Sequence, residues 1–177
     1  IFCDYYWGGR MATVYLLECG CRHIVCIKGP QYRYSARNRY QGYQDVCRER
    51  GIPEQTVECD YDFNQGMAMT EEPLDRFPDV DGIIACNDIV AISTYKVLHK
   101  RGISVPEKVQ LIGFDDISFA SLLSPELTTI SQPVKEMAKK AVELIVNNEL
   151  TGMTGGKFIF PVTLAARQTT KKKGECP

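Results

Sequence analysis

Polar side chains follow three buried-strand patterns in this sequence, at the point where each pattern ends. The apolar stretch VQLIGF stops at two carboxylates, Asp115 and Asp116, and the stretch GIIAC is followed by Asn87. A third stretch, HIVCIK, is followed by Gly29 and Pro30. In an open α/β sheet, ligands bind outside the carboxyl ends of the strands. The sequence therefore predicts a ligand site at one edge of a sheet, with carboxylate and amide groups in it.

Each acid or amide at this edge also has an ordinary structural interpretation. Aspartate is common in turns, and that role suits Asp116 better than Asp115. We therefore expect Asp115 to contact a ligand. Asn87 could cap the following helix, or it could offer a donor and an acceptor to a polyol. Asp88, the next residue, is the better candidate for the helix cap.

A cluster of arginines lies near the start of the helical pattern that follows HIVCIK: Arg33, Arg37 and Arg39. A solvated charged helix face explains these arginines as well as a ligand site does. Their spacing does not show which of the three would reach a ligand. Planar Arg, Asp and Asn groups can each bind two neighbouring hydroxyls. Some aromatic residues could cover an apolar ligand face or simply pack against the protein: Tyr32, Tyr34 and Phe119. These residue types favour a polar small molecule such as a sugar.

Catalytic signatures are missing from the sequence. It contains no GxSxG, P-loop, HExxH or GxGxxG motif. Asp115 and Asp116 could in principle act as acid and base on a sugar, but adjacent residues on one loop rarely face each other across a substrate. We therefore expect a binding protein and not an enzyme.

Composition and cysteine usage narrow the class of protein further. Hydrophobic residues make up 44% and charged residues 24% of 177 residues, and the net charge is -1. These values are typical of a soluble globular protein and favour neither nucleic acid nor a membrane as partner. The eight cysteines include no CxxC pair, and the cluster of Cys19, Cys21 and His23 straddles a predicted helix end. We expect no metal, no cofactor, and free thiols in the reducing cytoplasm.

Helical and strand patterns alternate along the chain. Helical periodicity covers 8–18, 35–50, 64–77, 89–100 and 133–148, with Ser35 as a predicted cap and Pro73 as a predicted break or kink. Strand patterns cover 23–28, 56–59, 82–86, 109–114 and 158–164, and a long loop after Asp116 leads to 128–131. This alternation predicts a three-layer α/β fold with a mainly parallel sheet and helices on both faces.

The chain resembles the effector-binding core of lactose-repressor-type (LacI/GalR) bacterial transcription regulators. The motifs that carry the resemblance span nearly the whole chain: DYYWGG at 4–9, LLECGCRHIVCIKGP at 16–30, SARNRYQGY at 35–43, GIIACNDIVA at 82–91, GISVPEKVQLIGFDD at 102–116, SPELTTISQP at 124–133 and LAARQTT at 164–170. The resemblance implies a periplasmic-binding-protein-like (type I) core of two lobes with an effector between them. It implies effector contacts at Arg39, Asn87, Asp115 and Gln132, with Arg33, Ser35 and Asp4 as further lining residues.

The resemblance also implies how the chain is divided. We expect 1–132 to form the C-terminal lobe, 133–161 to supply a helix and a strand of the other lobe, and 162–177 to form a return strand and tail. One lobe would then be incomplete and the DNA-binding headpiece absent, as in a fragment. The apolar stripe of the helix, with Met137, Leu144 and Ile145, should be covered by its own sheet, by segment exchange or by a second copy.

The function implied is effector sensing in a cytoplasmic, homodimeric repressor that binds a sugar or related metabolite. Effector would shift the population of lobe arrangements and so change the affinity for operator DNA, which only the headpiece contacts. Two alternatives are a periplasmic sugar-binding protein of a transporter, which has the same fold, and a sugar-acting enzyme. We expect no membrane partner.

Overall fold

The computed structural model describes residues 1–146 and 157–172, and its strands form two sheets. The strands are β1 (Phe2–Cys3), β2 (Ile24–Lys28), β3 (Gln55–Glu58), β4 (Gly82–Ala85), β5 (Gln110–Asp115), β6 (Thr128–Ser131), β7 (Ile159–Phe160) and β8 (Thr163–Ala165). The larger sheet has the order β3-β2-β4-β5-β6-β8, and all its neighbours are parallel except β6 and β8. Strands β1 and β7 pair in parallel as a separate small sheet. The predicted mainly parallel α/β fold is confirmed.

Five helices and one 3-10 turn accompany these strands in the described residues. They are α1 (Tyr5–Glu18), α2 (Tyr34–Arg50), α3 (Phe63–Arg76), α4 (Asp88–Lys100), α5 (Val134–Val146) and the 3-10 turn Ser118–Leu122. Helices α1 and α2 pack on one face of the larger sheet and α3 and α4 on the other. Strand side chains alternate between the two layers: Leu111 joins the α3–α4 side and Ile112 the α1–α2 side, both fully buried.

Several local predictions were wrong, each for an identifiable reason. Ser35 does not cap α2, because the helix already starts at Tyr34 and the capping position is Arg33, whose side chain makes no capping bond. Pro73 lies inside α3, which continues to Arg76, so of the predicted break or kink the break is wrong. The strand predicted over 158–164 is two strands in two different sheets, and the chain passes between them at Pro161, which has no N–H for a ladder.

Helices α1 and α2 approach each other until their backbones touch. A Cβ atom on Gly9 would lie 2.0 Å from the carbonyl oxygen of Arg39, and one on Gly42 would lie 2.3 Å from that of Tyr6. Only glycine permits such a close approach at these two positions. This contact matters for the site because Arg39 lies in the turn of α2 that packs directly against α1.

The rest of the chain covers only part of the apolar stripe of helix α5. Leu144 is 5% exposed, and the half-buried Met137 accepts from the Cys3 thiol at 3.2 Å. Ile145 is 66% exposed, so its own chain does not cover it, and cover by segment exchange or by a second copy stays a prediction. Its neighbours on the open face are Val134, Val142 and Val146. The predicted continuation of this helix to Asn148 and the tail beyond Lys172 lie outside the described residues.

Replacing Gly42 by alanine tests the backbone contact between α1 and α2. In an ordinary helix this change gains about 1 kcal/mol of stability, because alanine has the higher helix propensity. Here the added methyl group must push α1 away, so we expect the free energy of unfolding to fall by about 1–3 kcal/mol. Urea denaturation gives this value. Gln41→Ala, on the exposed face of the same helix, should stay within about 0.5 kcal/mol of the parent. A Gly42→Ala protein more stable than the parent would contradict the contact.

Candidate functional site

Asp115, the last residue of β5, lies at the centre of the candidate site. Its Oδ1 accepts hydrogen bonds from Arg39 Nη2 at 3.3 Å and from Gln132 Nε2 at 2.5 Å. Burial raises the pKa of Asp115 to about 6, against the lowering effect of the Arg39 guanidinium. The three residues come from β5, α2 and the end of β6, so the fold brings together groups that lie far apart in sequence.

Arg39 is held from several sides. Its Cζ lies 3.6 Å from the centroid of the Phe114 ring and 5.2 Å from that of Tyr5. Its Nη1 donates to the carbonyl oxygen of Cys86 at 2.5 Å. The Arg39 side chain is 12% exposed and that of Asp115 30%. The pair is therefore held in place by the protein, while part of the Asp115 side chain stays exposed at the carboxyl end of β5.

Asn87 lies beside this group, at the end of β4, and it caps helix α4. Its Oδ1 accepts from the backbone N–H of Val90 at 2.8 Å, and the residue is 8% exposed. The prediction that Asp88 would be the cap is wrong, because Asp88 already belongs to the helix and its side chain turns inward. The capping bond uses the amide oxygen of Asn87, and the same amide also carries two N–H donors.

Asp88 is a buried acid that the sequence did not single out for the site. Its Oδ1 accepts from Thr129 Oγ1 at 2.6 Å, and its Oδ2 accepts from the backbone N–H of Ile117 at 2.9 Å. A Cβ on Gly113 would lie 2.2 Å from Oδ1, so glycine in the middle of β5 makes room for this carboxylate. Burial raises the pKa of Asp88. The acid ties together α4, β6 and the loop after β5.

Asp116 points to a different partner from its neighbour. Its Oδ1 accepts from Arg167 Nη2 at 2.6 Å, and Arg167 Nη1 donates to the carbonyl oxygen of Leu127 at 2.8 Å. Asp116 is therefore bound within the protein, in agreement with the structural role that we expected for it. Arg167, from the LAARQTT motif, was not predicted as part of the site.

Arg33 and Ser35 meet at a residue that the sequence analysis missed, Tyr61. Arg33 Cζ lies 5.8 Å from the Tyr61 ring centroid, and Ser35 Oγ lies 3.5 Å from the Tyr61 hydroxyl. The Tyr61 ring packs on Gly29, where a Cβ would lie 2.7 Å from it. Tyr61 follows β3 at the same edge of the sheet, and this position after a strand was the available signal. Neither Arg33 nor Ser35 is brought into the Arg39–Asp115 group.

Asp4 lies where the chain enters α1 from β1. Its side chain caps α1 by accepting from the backbone N–H of Trp7 at 2.9 Å, and its own N–H donates to Phe160 at 2.8 Å. Among the proposed aromatic lining residues, Tyr34 packs against other rings, with its centroid 5.2 Å from that of Phe2. Tyr32 and Phe119 are 74% and 61% exposed.

Neither a metal centre nor a membrane span is found in the part of the chain that the structure describes. Over residues 1–146 and 157–172, no group of three or more His, Cys, Asp or Glu side chains is arranged to hold a metal ion. Within the same ranges no helix combines the length and apolar character needed to cross a bilayer.

Comparisons with known proteins identify the family of this chain. Residues 13–170 match the family described as periplasmic binding protein-like domain. The ribose operon repressor of Halalkalibacterium halodurans is 33% identical over 165 residues, which cover 93% of this chain and 50% of that protein. The transcriptional regulator CelR of Thermobifida fusca is 36% identical over 150 residues, which cover 83% of this chain and 44% of that protein. The chain spans about half the length of these curated relatives.

Solved structures show the same fold. A CelR–cellobiose complex superposes with a TM-score of 0.88 at 32% identity, covering 94% of this chain and 52% of the other. A LacI-type regulator from Alkaliphilus metalliredigens complexed with D-xylulofuranose has a TM-score of 0.87 at 37% identity, covering 96% and 65%. The chain therefore belongs to the periplasmic binding protein-like domain family, and it corresponds to the C-terminal core of LacI-family regulators.

Proposed function

We propose that this chain is the effector-sensing part of a bacterial DNA-binding repressor and that its effector is a sugar. The observation that carries the proposal is the hydrogen-bonded group of Arg39, Asp115 and Gln132 at the carboxyl edge of the sheet. Relatives support the class of ligand, because they include ribose operon repressors and structures with cellobiose, D-xylulofuranose and ribose.

The chemistry of these groups suits a polyol. The Asp115 carboxylate accepts hydrogen bonds from sugar hydroxyls, and the Arg39 guanidinium donates to hydroxyl oxygens. Asn87, at the end of the neighbouring strand, adds amide donors. The Tyr61 ring offers a flat apolar surface for the C–H face of a sugar ring, as aromatic residues do in small-molecule sites. Arg33 and Ser35 then act through Tyr61 and not by direct contact with the Arg39 group.

Gln132 connects ligand binding to lobe arrangement. It follows β6 and comes two residues before α5 begins, so it stands where the chain leaves the larger sheet. A sugar that bonds to Asp115 and Gln132 together favours the arrangement in which both are in reach. Such differential binding shifts the population of lobe arrangements and thereby the DNA affinity of an attached headpiece. In this division, 1–132 and the return strand serve one lobe, and α5 and β7 serve the other, except that β1 pairs with β7 and so belongs with the second lobe.

The protein acts by binding and not by catalysis. The two neighbouring acids do not form a catalytic pair, because Asp115 bonds to Arg39 while Asp116 bonds to Arg167. The function requires no metal or cofactor. The proposed working unit is a cytoplasmic homodimer, and contact with operator DNA belongs to the headpiece.

Removing the Arg39 guanidinium tests the site directly. Calorimetry of the protein with D-ribose, D-xylulose and cellobiose identifies the tightest sugar, and Arg39→Ala should then weaken its binding by at least about tenfold, since a buried charge partner is lost. Arg37→Ala is the matched control, because Arg37 lies in the same helix with an exposed side chain whose bond is to the backbone of Gln31. Equal sugar affinity of the Arg39→Ala and Arg37→Ala proteins would refute the assignment.

The pH dependence of sugar binding tests the role of Asp115. With a pKa of about 6, this carboxyl is mostly charged at neutral pH and mostly protonated at pH 5. The charged form accepts two sets of hydroxyl hydrogen bonds and the protonated form fewer, so we expect affinity to fall as the pH is lowered through about 6. Asp115→Asn should bind more weakly at neutral pH and lose most of this pH dependence. A profile that is flat in the parent protein, or unchanged in Asp115→Asn, would contradict the role.

A further inference from the structure

We infer that Arg167 is a positioning residue for the effector site: through its ion pair with Asp116 it holds the end of β5 in the conformation that aims the Asp115 carboxylate at Arg39 and Gln132. The inference rests on the proposed function only in so far as it names the site that is positioned. Arg167 itself bonds to none of Arg39, Asp115 and Gln132 in the described structure.

The backbone at the end of β5 has an unusual conformation. Asp115 has a φ of 122° and Asp116 a φ of 59°, and within the described residues these are the two non-glycine residues with positive φ. Side chains with a Cβ rarely adopt such angles, and a backbone persists there only when its surroundings hold it. The direction of the Asp115 side chain depends on this backbone conformation. With ordinary strand angles the side chain would instead follow the alternation along β5.

Two contacts hold this segment. Buried Asp88 accepts from the backbone N–H of Ile117, directly after the two acids. Arg167 donates to Asp116 at 2.6 Å and to the carbonyl oxygen of Leu127 at 2.8 Å, so its guanidinium bridges the loop and the residue before β6. Both ion-pair side chains are mostly buried, with 20% exposure for Arg167 and 24% for Asp116.

Arg167 is itself firmly placed. Its backbone N–H donates to Thr128 Oγ1 at 2.8 Å, and it follows β8, which pairs with β6. The guanidinium is thus a rigid fork whose two ends reach fixed partners. Loss of the fork frees Asp116 and removes one of the two restraints on φ at Asp115. The strained segment should then relax and take the Asp115 carboxylate out of reach of Gln132.

The side-chain amide of Gln132 reports this positioning without any ligand. In the parent protein its Nε2 donates to Asp115, so we expect the amide resonances to show a hydrogen-bonded chemical shift and slow hydrogen exchange. In Arg167→Met we expect these resonances to move most of the way to their positions in Asp115→Ala. The matched control is Arg10→Met, because Arg10 is also 20% exposed and ion-paired, to Glu49 at 2.7 Å, on the outer helix layer. Unchanged Gln132 resonances in folded Arg167→Met would overturn the inference.

Sugar binding supplies the second readout. Arg167→Met should bind the tightest of D-ribose, D-xylulose and cellobiose about tenfold more weakly than Arg10→Met does, although each variant loses one arginine ion pair. If the Gln132 resonances move but the parent protein binds none of these sugars, the positioning role stands and the proposed sugar function fails. If the resonances move and sugar affinity equals that of Arg10→Met, positioning by Arg167 does not serve the site and the inference is overturned.

A milder pair of variants covers the case in which Arg167→Met does not fold. Asp116→Asn keeps the shape of the acid and removes its charge, and Arg167→Lys keeps the charge but not the two-ended fork. We expect Gln132 shifts intermediate between parent and Asp115→Ala in both. Parent-like Gln132 shifts in both variants would overturn the inference.

Discussion

The structure depends on how it accommodates one partly buried carboxylate. Asp115 stands where burial opposes its charge, and a charge in such a place must be paired or hydrogen-bonded. Arg39 and Gln132 meet that need from two other elements of the fold. The same arrangement that stabilises the carboxylate leaves part of the Asp115 side chain exposed at the carboxyl end of β5. A ligand with neighbouring hydroxyls can share the bonds that the protein has already oriented.

The surrounding fold can be understood as support for that arrangement. The glycine contact between α1 and α2 lets the Arg39 turn lie deep enough to stack on Phe114. Glycine at 113 makes room for the buried carboxylate of Asp88, which in turn holds the loop after β5. Each of these features lowers stability locally. The glycines reduce helix and strand propensity, and the Asp88 carboxyl must be buried. They are consistent with a fold whose conformational strain is concentrated at its binding edge.

Much of the layout could be predicted from the sequence, since it follows from local pattern. Alternating helix and strand signals gave the parallel sheet, and strands ending on polar residues indicated Asp115 and Asn87. Arg39 and Gln132 came from the family resemblance, because spacing alone could not distinguish Arg39 from its neighbours or Gln132 from a loop residue. Two of the wrong predictions concern helix starts, where Ser35, Asn87 and Asp88 all offer plausible capping groups and only the backbone path decides among them.

The residues that could not be predicted act through contacts between distant segments. Arg167 lies 51 positions from Asp116, and Asp88 lies 41 positions from Thr129. No local periodicity carries such pairings. One signal could have identified Tyr61, which is an aromatic residue just after a strand at the same sheet edge. Its contact with Gly29, however, is visible only in the folded structure.

The most direct test of this account is an NMR titration of the protein with the tightest-binding sugar of D-ribose, D-xylulose and cellobiose, read residue by residue. We predict that the largest changes in chemical shift fall on Arg39, Asn87, Asp115 and Gln132, with Tyr61 next. A different cavity, of about 560 Å³, lies near the amino ends of the strands and is lined by residues that include Cys19, Asp81 and Lys172. Largest changes around that cavity, with the Asp115 group unaffected, would contradict the account.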